Sequence, residues 1–314
     1  MATNKASSSS KKASAKKPAA KARTTTKPAV TAASTTGGSV SDNFAALRPG
    51  ALIAEFLGTF VLAAAIIQLR LSGETTGFLV ALAIMFVLIA LVITFGVASG
   101  AHFNPAITIA SWINRKTNGV KATAYIVMQV LGALVAFVVL SCLFNSSLDG
   151  RVKASLEQQG LTDTSAAQYG AKDVNDFIEQ QGGTKKVAEL LKIEFVKTEV
   201  KKDQEWSTLY AELLGSVIFG LGVGYAIFTS RKWLSKALAI GGGLFLGLIV
   251  GGGVAILNPA VASAVDTFHG SDSFMVVFWP ILIYILTTVV GMTVGLTTYR
   301  LIARDTEAYS DDCC

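Results

Sequence analysis

The tripeptide Asn104-Pro105-Ala106 recurs in the chain as Asn258-Pro259-Ala260. Each copy ends a glycine-containing apolar stretch and begins a short apolar run. A glutamate within an Ala-Glu-x-x-Gly-(Thr/Ser) stretch precedes each copy at a similar distance: Glu55 lies 49 residues before Asn104, and Glu212 lies 46 residues before Asn258. Because the whole arrangement occurs twice, the sequence predicts two homologous halves that are interrupted at the same place.

Each Asn-Pro-Ala tripeptide has the composition of a helix start. Asparagine is a favourable N-cap, and proline is favoured at the first helical position because its missing N–H would have no partner there. The apolar runs that follow, 105–113 and 259–268, are too short to span a bilayer. We therefore predict two re-entrant half-helices, which lie in protein or along a water-filled cavity and enter from opposite faces of the membrane.

The composition is that of a membrane protein. Hydrophobic residues make up 52% of the chain, charged residues 15%, and the mean hydropathy is +0.53. Six stretches are long and apolar enough to cross a bilayer about 30 Å thick. They are 51–69, 78–97, 122–144, 209–228, 237–254 and 274–301. We predict an all-α integral membrane protein with six spans and two half-helices.

The basic residues of the short loops predict the orientation. They cluster between the second and third spans and between the fourth and fifth, which places both termini in the cytoplasm of a multi-pass plasma-membrane protein. Three spans per half is an odd number, so the halves insert with opposite topology and form an inverted repeat. The predicted organisation is a disordered basic cytoplasmic tail (1–48), the first repeat (49–144), an extracellular loop (145–207), the second repeat (208–303) and a C-terminal tail (304–314).

The net charge of +6 comes from the tail, because residues 1–41 hold eight Lys or Arg and no Asp or Glu. Lys, Ala, Ser and Thr dominate the tail, so we interpret it as a solvated arm and predict no specific nucleic-acid partner. The loop 145–207 holds eleven acidic and nine basic residues and cannot span. Its apolar spacing predicts two short helices, after Asp173 and after Thr184. We interpret this loop as decoration or a subunit contact.

The stretch from Ser99 to Thr108, Ser-Gly-Ala-His-Phe-Asn-Pro-Ala-Ile-Thr, resembles the first signature of the aquaporin/aquaglyceroporin (major intrinsic protein) family. The Ala-Glu-x-x-Gly-Thr start and the Gln129-x-x-Gly132-Ala133 pattern are similar too, and the resemblance covers about residues 50–303. It implies an aquaporin-like bundle with one pore per subunit, usually in a homotetramer within the lipid bilayer. It also implies that Glu55 and Glu212 are structural carboxylates that accept from loop backbone N–H groups.

The paired half-helices predict how such a pore treats solutes. Each N-terminus carries about half a positive charge from the helix dipole, and the amides of Asn104 and Asn258 present donors to the lumen. A cation therefore meets a repulsive potential at the centre.

The second signature departs from the family at one position. The family usually has an arginine directly after the second Asn-Pro-Ala, where this chain has Val261. Carrying over the other constriction positions by spacing gives Ile84, Leu246 and Ala255. The resemblance therefore implies a constriction that is wholly aliphatic. Such a ring slows water by dewetting, or passes larger or less polar neutral solutes.

We predict a passive channel for water, small neutral solutes such as glycerol, or both. Two alternatives remain open at this point: a secondary transporter, since inverted repeats with broken helices also mark that class, and a selectivity-relaxed, ion-conducting relative. The sequence has no nucleophile–base pair and no cluster with metal-ligand spacing, so we predict no enzyme, no cofactor and no metal site.

Overall fold

The computed structural model describes residues 47–71, 77–195, 204–230, 232–252, 255–266 and 281–312. Eleven of its helices, in chain order, are α1 (Pro49–Leu71), α2 (Gly77–Ser99), α3 (Pro105–Ile113), α4 (Gly119–Ser146), α5 (Leu148–Gln158), α6 (Asp163–Ala166), α7 (Val174–Gln180), α8 (Thr184–Leu190), α9 (Glu205–Phe228), α10 (Trp233–Val250) and α11 (Pro259–Asp266). They are followed by π-helical turns at Ile281–Thr287 that continue into α12 (Thr288–Asp312). A 3₁₀ turn, Ala167–Tyr169, follows α6.

Six helices in this part of the chain are long and apolar enough to cross a membrane. They are α1, α2, α4, α9, α10 and the segment Leu282–Asp305, which confirms the six predicted spans. The predicted start of the last span, 274–280, and the predicted tail up to residue 46 lie outside the described residues. The last helix continues to Asp312 instead of ending at 301, because the residues after 301 include strong helix formers such as Ala303 and Arg304.

The two halves pack into each other. Within the first half α1 packs against α2 and α4, and within the second half α9 packs against α10 and α12. The half-helix α3 lies against α12 of the second half, while the half-helix α11 lies against α4 of the first. This exchange confirms the aquaporin-like inverted repeat. We call the face of the bundle where α1 and α4 end the loop face, because the long loop leaves from it.

Glycines allow α9 and α12 to approach closely. A Cβ built on Gly220 would lie 2.6 Å from the carbonyl oxygen of Met292, and one built on Gly295 would collide with the carbonyl oxygen of Val217. Small residues at such contacts let helix backbones approach and gain packing energy, which is the main source of helix association in a bilayer.

The long loop folds on a small apolar cluster of its own, and we call residues 148–195 the loop domain. Both predicted helices are confirmed: Asp173 caps α7 by accepting from the N–H of Asp176 at 2.8 Å, and α8 begins at Thr184. The structure adds α5 and α6, which the sequence reading missed. The shared cluster consists of Val152, Leu156, Leu161, Val174, Ile178, Val187 and Ala188.

A polar contact ties the first and last helices of the loop domain. Asp149 on α5 accepts from the Thr184 hydroxyl on α8 at 3.0 Å and pairs with Lys153 at 2.6 Å. The hydrogen bond from Lys153 holds the pKa of the Asp149 carboxyl below its usual value. Both partners are well exposed, so this pair adds little to stability, and the apolar cluster carries the fold of the domain.

Phe195 fastens the end of the loop domain to the membrane bundle. Its ring makes edge-to-face contacts with Phe137 and Phe144 on α4, at centroid distances of 5.3 and 5.4 Å. Such aromatic pairs contribute about 0.5–1.5 kcal/mol each beyond their buried area.

We expect Phe195→Ala to release the loop domain from α4 while the bundle stays folded. Tryptic cleavage at the lysines that follow residue 195 should become about three- to tenfold faster, in line with a loss of about 1 kcal/mol of docking energy. Leu190→Ala is the matched control, because that side chain is 63% exposed. An unchanged cleavage rate in the Phe195 variant would show that other contacts hold the domain.

Candidate functional site

The candidate site lies where the N-termini of α3 and α11 meet. Asn104 caps α3 in an extended conformation (φ −156°), and its side-chain oxygen accepts from the N–H of Ala106 at 2.8 Å. Asn258 accepts in the same way from the N–H of Ala260 at 3.1 Å. The N-capping predicted for both asparagines is therefore confirmed. The four residues Pro105, Ala106, Pro259 and Ala260 form the buried first turns of these helices.

The same two asparagines bond across to the opposite half. The amide nitrogen of Asn104 donates to the carbonyl oxygen of Leu257 at 2.7 Å, and that of Asn258 donates to the carbonyl oxygen of Phe103 at 3.0 Å. Each amide carries two hydrogens. One hydrogen joins the halves, and the second is left for the lumen.

Phe103 and Leu257, which receive these bonds, have left-handed backbones. Their φ angles are 49° and 58°, a conformation that is costly for side chains of this size. Strained residues of this kind cost about 1–3 kcal/mol and persist only where the surroundings hold them. The conformation turns each carbonyl toward the other half, so the strain serves the contact between the halves.

Two buried carboxylates hold these loops. Glu55 accepts from the N–H of His102 at 3.0 Å and from the N–H of Phe103 at 2.7 Å. Gln129 on α4 donates a third hydrogen bond to it at 2.8 Å. Glu55 is fully buried, and a buried carboxylate is tolerated only when hydrogen bonds of this kind satisfy it.

The second half repeats the arrangement. Glu212 accepts from the N–H groups of Ile256 and Leu257, and the Thr288 hydroxyl lies 3.3 Å from the same carboxylate. In both halves the carboxylate thus satisfies the backbone N–H of the strained residue directly before the asparagine. The position of each glutamate relative to its tripeptide follows from this contact.

A cavity of about 220 Å³ leads from the loop face to the two asparagines. Its outer end is formed by Arg70 and Gly77, where α1 ends and α2 begins, and its floor includes Asn104 and Asn258. His102 also lines it, with ring nitrogen Nδ1 3.0 Å from the Thr108 hydroxyl. The rest of the described wall is apolar: Leu62, Ile66, Val80, Ala81, Ile84, Leu88, Ile107, Phe219, Leu244, Leu248, Ala255 and Ile256.

Two of the four predicted constriction residues, Ile84 and Ala255, line this cavity. The structure places Leu246 elsewhere: it is 54% exposed on the outer surface of α10, whereas Leu244 and Leu248 are buried and line the wall. Two residues along a helix are about 200° apart, so Leu246 faces away from its neighbours' side. α10 ends at Val250, and Gly251 with left-handed Gly252 begins a non-helical connection to Asn258.

Val261 does not contribute to the described wall of the cavity. It lies in the first turn of α11 with no exposed surface, and its N–H lies 3.5 Å from the side-chain oxygen of Asn258. The assignment of Val261 to the constriction therefore stays a prediction, and the absence of an arginine at this position stands in the sequence.

Sequence reasoning missed Arg70, Leu244, Leu248 and the role of His102 in the wall. A signal for Arg70 was available, because Leu62, Ile66 and Arg70 follow one another at intervals of four residues and share one face of a helix. The cross-bonds from the asparagines to the opposite carbonyls had no signal in the sequence, since they join residues more than 150 positions apart.

A family model described as Major intrinsic protein matches residues 39–299 of the chain. Aquaporin-10 of Homo sapiens is 29% identical over 262 residues, which cover 80% of this chain and 79% of the relative. Aquaglyceroporin-2 of Rhizophagus irregularis is 50% identical over 96 residues, which cover 28% of this chain and 29% of the relative. This second match thus spans less than a third of that relative's length.

A solved structure, the aquaglyceroporin from Plasmodium falciparum, is similar in fold. The similarity has a TM-score of 0.56 at 20% sequence identity, and covers 80% of this chain and 94% of the other.

Proposed function

The chain belongs to the major intrinsic protein family, and on that premise we propose that it is a passive, single-file channel for water and small neutral solutes of the glycerol type. One observation carries the proposal: the two capped asparagines lie at the floor of a cavity that reaches the loop face. The names of its relatives, an aquaporin and an aquaglyceroporin, agree with it.

The chemistry of the wall favours solutes with one polar edge and one apolar edge. Asn104, Asn258 and His102 offer the polar groups, while Ile84, Leu248 and other aliphatic side chains cover the remaining surface. The volume of about 220 Å³ is below the roughly 300–1,000 Å³ of sites for drug-sized ligands. A small polyol fits this combination, because its hydroxyls meet the donors and its C–H groups meet the wall.

Cations are opposed at the floor. The N-termini of α3 and α11 meet there, and each contributes about half a positive charge. The two asparagine amides are neutral and present N–H donors, and the aliphatic wall offers no replacement for a cation's hydration shell. We propose that Asn104 and Asn258 line the pore, and that Glu55 and Glu212 support the loops structurally.

The proposal also covers the setting of the channel. The basic residues of the short loops, such as Arg115, Lys116 and Lys232, lie in connections on the face opposite the loop face, which supports cytoplasmic termini in the plasma membrane. Exposed apolar side chains along the spans, among them Phe86, Ile93 and Leu131, suit contact with lipid and with neighbouring subunits of a homotetramer.

The test is osmotic light scattering on proteoliposomes that contain the full chain, with water, glycerol and urea gradients. We expect the protein to raise water or glycerol flux above that of the lipid alone. If none of the three solutes exceeds the lipid background, the channel proposal fails. A rate that saturates and depends on an ion gradient would favour a transporter instead.

Leu248→Ala should widen the pore and raise glycerol flux about two- to fivefold, since it removes three carbons from the wall. A leucine side chain takes up a large part of the cross-section of a narrow pore, and the pore diameter limits which solutes can pass. Leu246→Ala is the matched control on the same helix and should leave glycerol flux at the wild-type rate. If only Leu246→Ala raised glycerol flux, the result would favour the spacing prediction, which puts Leu246 at the constriction.

A further inference from the structure

Arg70 is the one charged side chain on the described wall of the cavity. It stands in the last turn of α1, is half buried, and lines the cavity together with Gly77 at the start of α2. No carboxylate belongs to the part of the wall that the structure describes. A solute that enters from the loop face therefore passes this guanidinium, and it meets no other charged side chain on the described wall.

We propose that Arg70 sets the charge selectivity at the entrance of the pore. This inference rests on the proposed channel function. It adds a charged barrier at the end of α1 to the repulsion at the floor. The residue after the second Asn-Pro-Ala supplies no such charge, because Val261 is uncharged, fully buried and not on the described wall.

The position of Arg70 follows from the pore-facing stripe of α1. Leu62, Ile66 and Arg70 line the cavity at intervals of one turn, so the guanidinium is attached about 6 Å above Ile66 and about 12 Å above Leu62 along the helix axis. The aliphatic stem of Arg70 can continue the apolar wall while the charged group reaches the opening.

The electrostatics favour an effect on cations. The Debye length is about 8–10 Å in physiological salt, so a charge at the mouth still acts on a solute within the outer part of the cavity. Apolar walls of low dielectric concentrate the field of such a charge, and fields of this kind change local ion concentrations by about tenfold or more. The positive ends of α3 and α11 at the floor act in the same direction.

A purely structural role must be separated from this one. Arginine in the last turn of a helix also interacts favourably with the helix dipole and with the final carbonyls. Loss of such a role would make the Arg70 variants less stable, but it would not change the uptake of a cation relative to that of a neutral solute of the same size. Urea and guanidinium form a suitable pair of probes, because they share size and planar shape and differ in charge.

The experiment measures uptake of urea and guanidinium by proteoliposomes that contain the full-length protein. We expect Arg70→Gln to raise the guanidinium-to-urea uptake ratio about tenfold, and Arg70→Glu to raise it further. Arg70→Lys should keep the wild-type ratio. The matched control is Lys172→Gln, which removes an exposed positive charge from the loop domain, away from the cavity, and should leave the ratio unchanged.

Raising the salt concentration should shrink the difference between wild type and Arg70→Gln, because salt screens a charge at the mouth. The inference is overturned if guanidinium uptake does not follow the order Glu above Gln above Arg at position 70, or if Lys172→Gln gives the same change. Failure of the channel proposal would look different: water, glycerol and urea would all remain at the lipid background in wild type.

Discussion

Replacing Glu55 by leucine should destabilise the protein by about 3–5 kcal/mol and abolish solute flux. The substitution leaves the N–H groups of His102 and Phe103 and one hydrogen of the Gln129 amide without their acceptor in a fully buried site. Each unsatisfied buried donor costs about 1–3 kcal/mol. Phe103 would also lose the contact that holds its left-handed backbone (φ 49°), so its carbonyl would no longer be aimed at Asn258.

The measurement is the thermal stability of the detergent-solubilised protein, followed by size-exclusion chromatography, together with flux per folded molecule in vesicles. Glu189→Leu makes the same chemical change on the surface of the loop domain, where Glu189 pairs with Lys186 at 3.0 Å and is 67% exposed. That control should lie within about 0.5 kcal/mol of wild type. Similar losses in both variants would contradict a special role for the buried site.

Glu55→Gln separates structural support from proton transfer. Glutamine keeps one oxygen for one loop N–H but turns an NH2 group toward another donor, so we expect an intermediate loss of stability. The remaining flux should keep the pH dependence of the wild type. Intramembrane acids are candidates for proton relays by default, and a flux whose pH dependence disappears in Glu55→Gln would favour that role.

Gly295→Ala should disrupt the contact between α9 and α12 and cost about 2–4 kcal/mol. The new methyl group would collide with the backbone carbonyl of Val217, and a backbone atom cannot avoid it by changing rotamer. Overpacking of a close contact typically costs about 1–3 kcal/mol. The helices would have to separate along their length, which removes van der Waals contacts that hold membrane helices together.

Gly242→Ala is the matched control within the span α10. A Cβ at Gly242 meets no atom within 4 Å, so the change should be neutral or stabilise the helix by up to about 1 kcal/mol through propensity. Chemical denaturation of the purified protein in detergent compares the two variants. The packing argument fails if both glycines tolerate alanine equally well.

Much of the fold could be predicted from composition and repetition. A span must be apolar over about 20 residues because the bilayer core is about 30 Å thick, and this requirement acts on each segment separately. The half-helix starts were equally local: Asn104 and Asn258 cap the helices that begin at the prolines directly after them. Both features depend on residues that are neighbours in the sequence.

The wall of the pore could be predicted only in part. Of the four residues predicted for the constriction, Ile84 and Ala255 line the described wall of the cavity, and Leu246 and Val261 do not. Their assignment relied on fixed spacing from the second Asn-Pro-Ala. Counting back from the tripeptide crosses the turn at Gly251 and Gly252, where the backbone is not helical. A difference of two residues places a side chain on the opposite face of α10.

The sequence by itself determined the number of spans and the two half-helices, because hydrophobicity and helix capping depend on residues that are close in the sequence. The inverted repeat then follows from the odd number of spans in each half. Only the tertiary structure decided how the halves are joined and which side chains a solute meets. The bonds from Asn104 to Leu257 and from Asn258 to Phe103, and the place of Arg70 at the mouth, arise when helices that are distant in sequence pack together. Those positions depend on the rotation and register of each helix, which hydrophobic pattern alone does not specify.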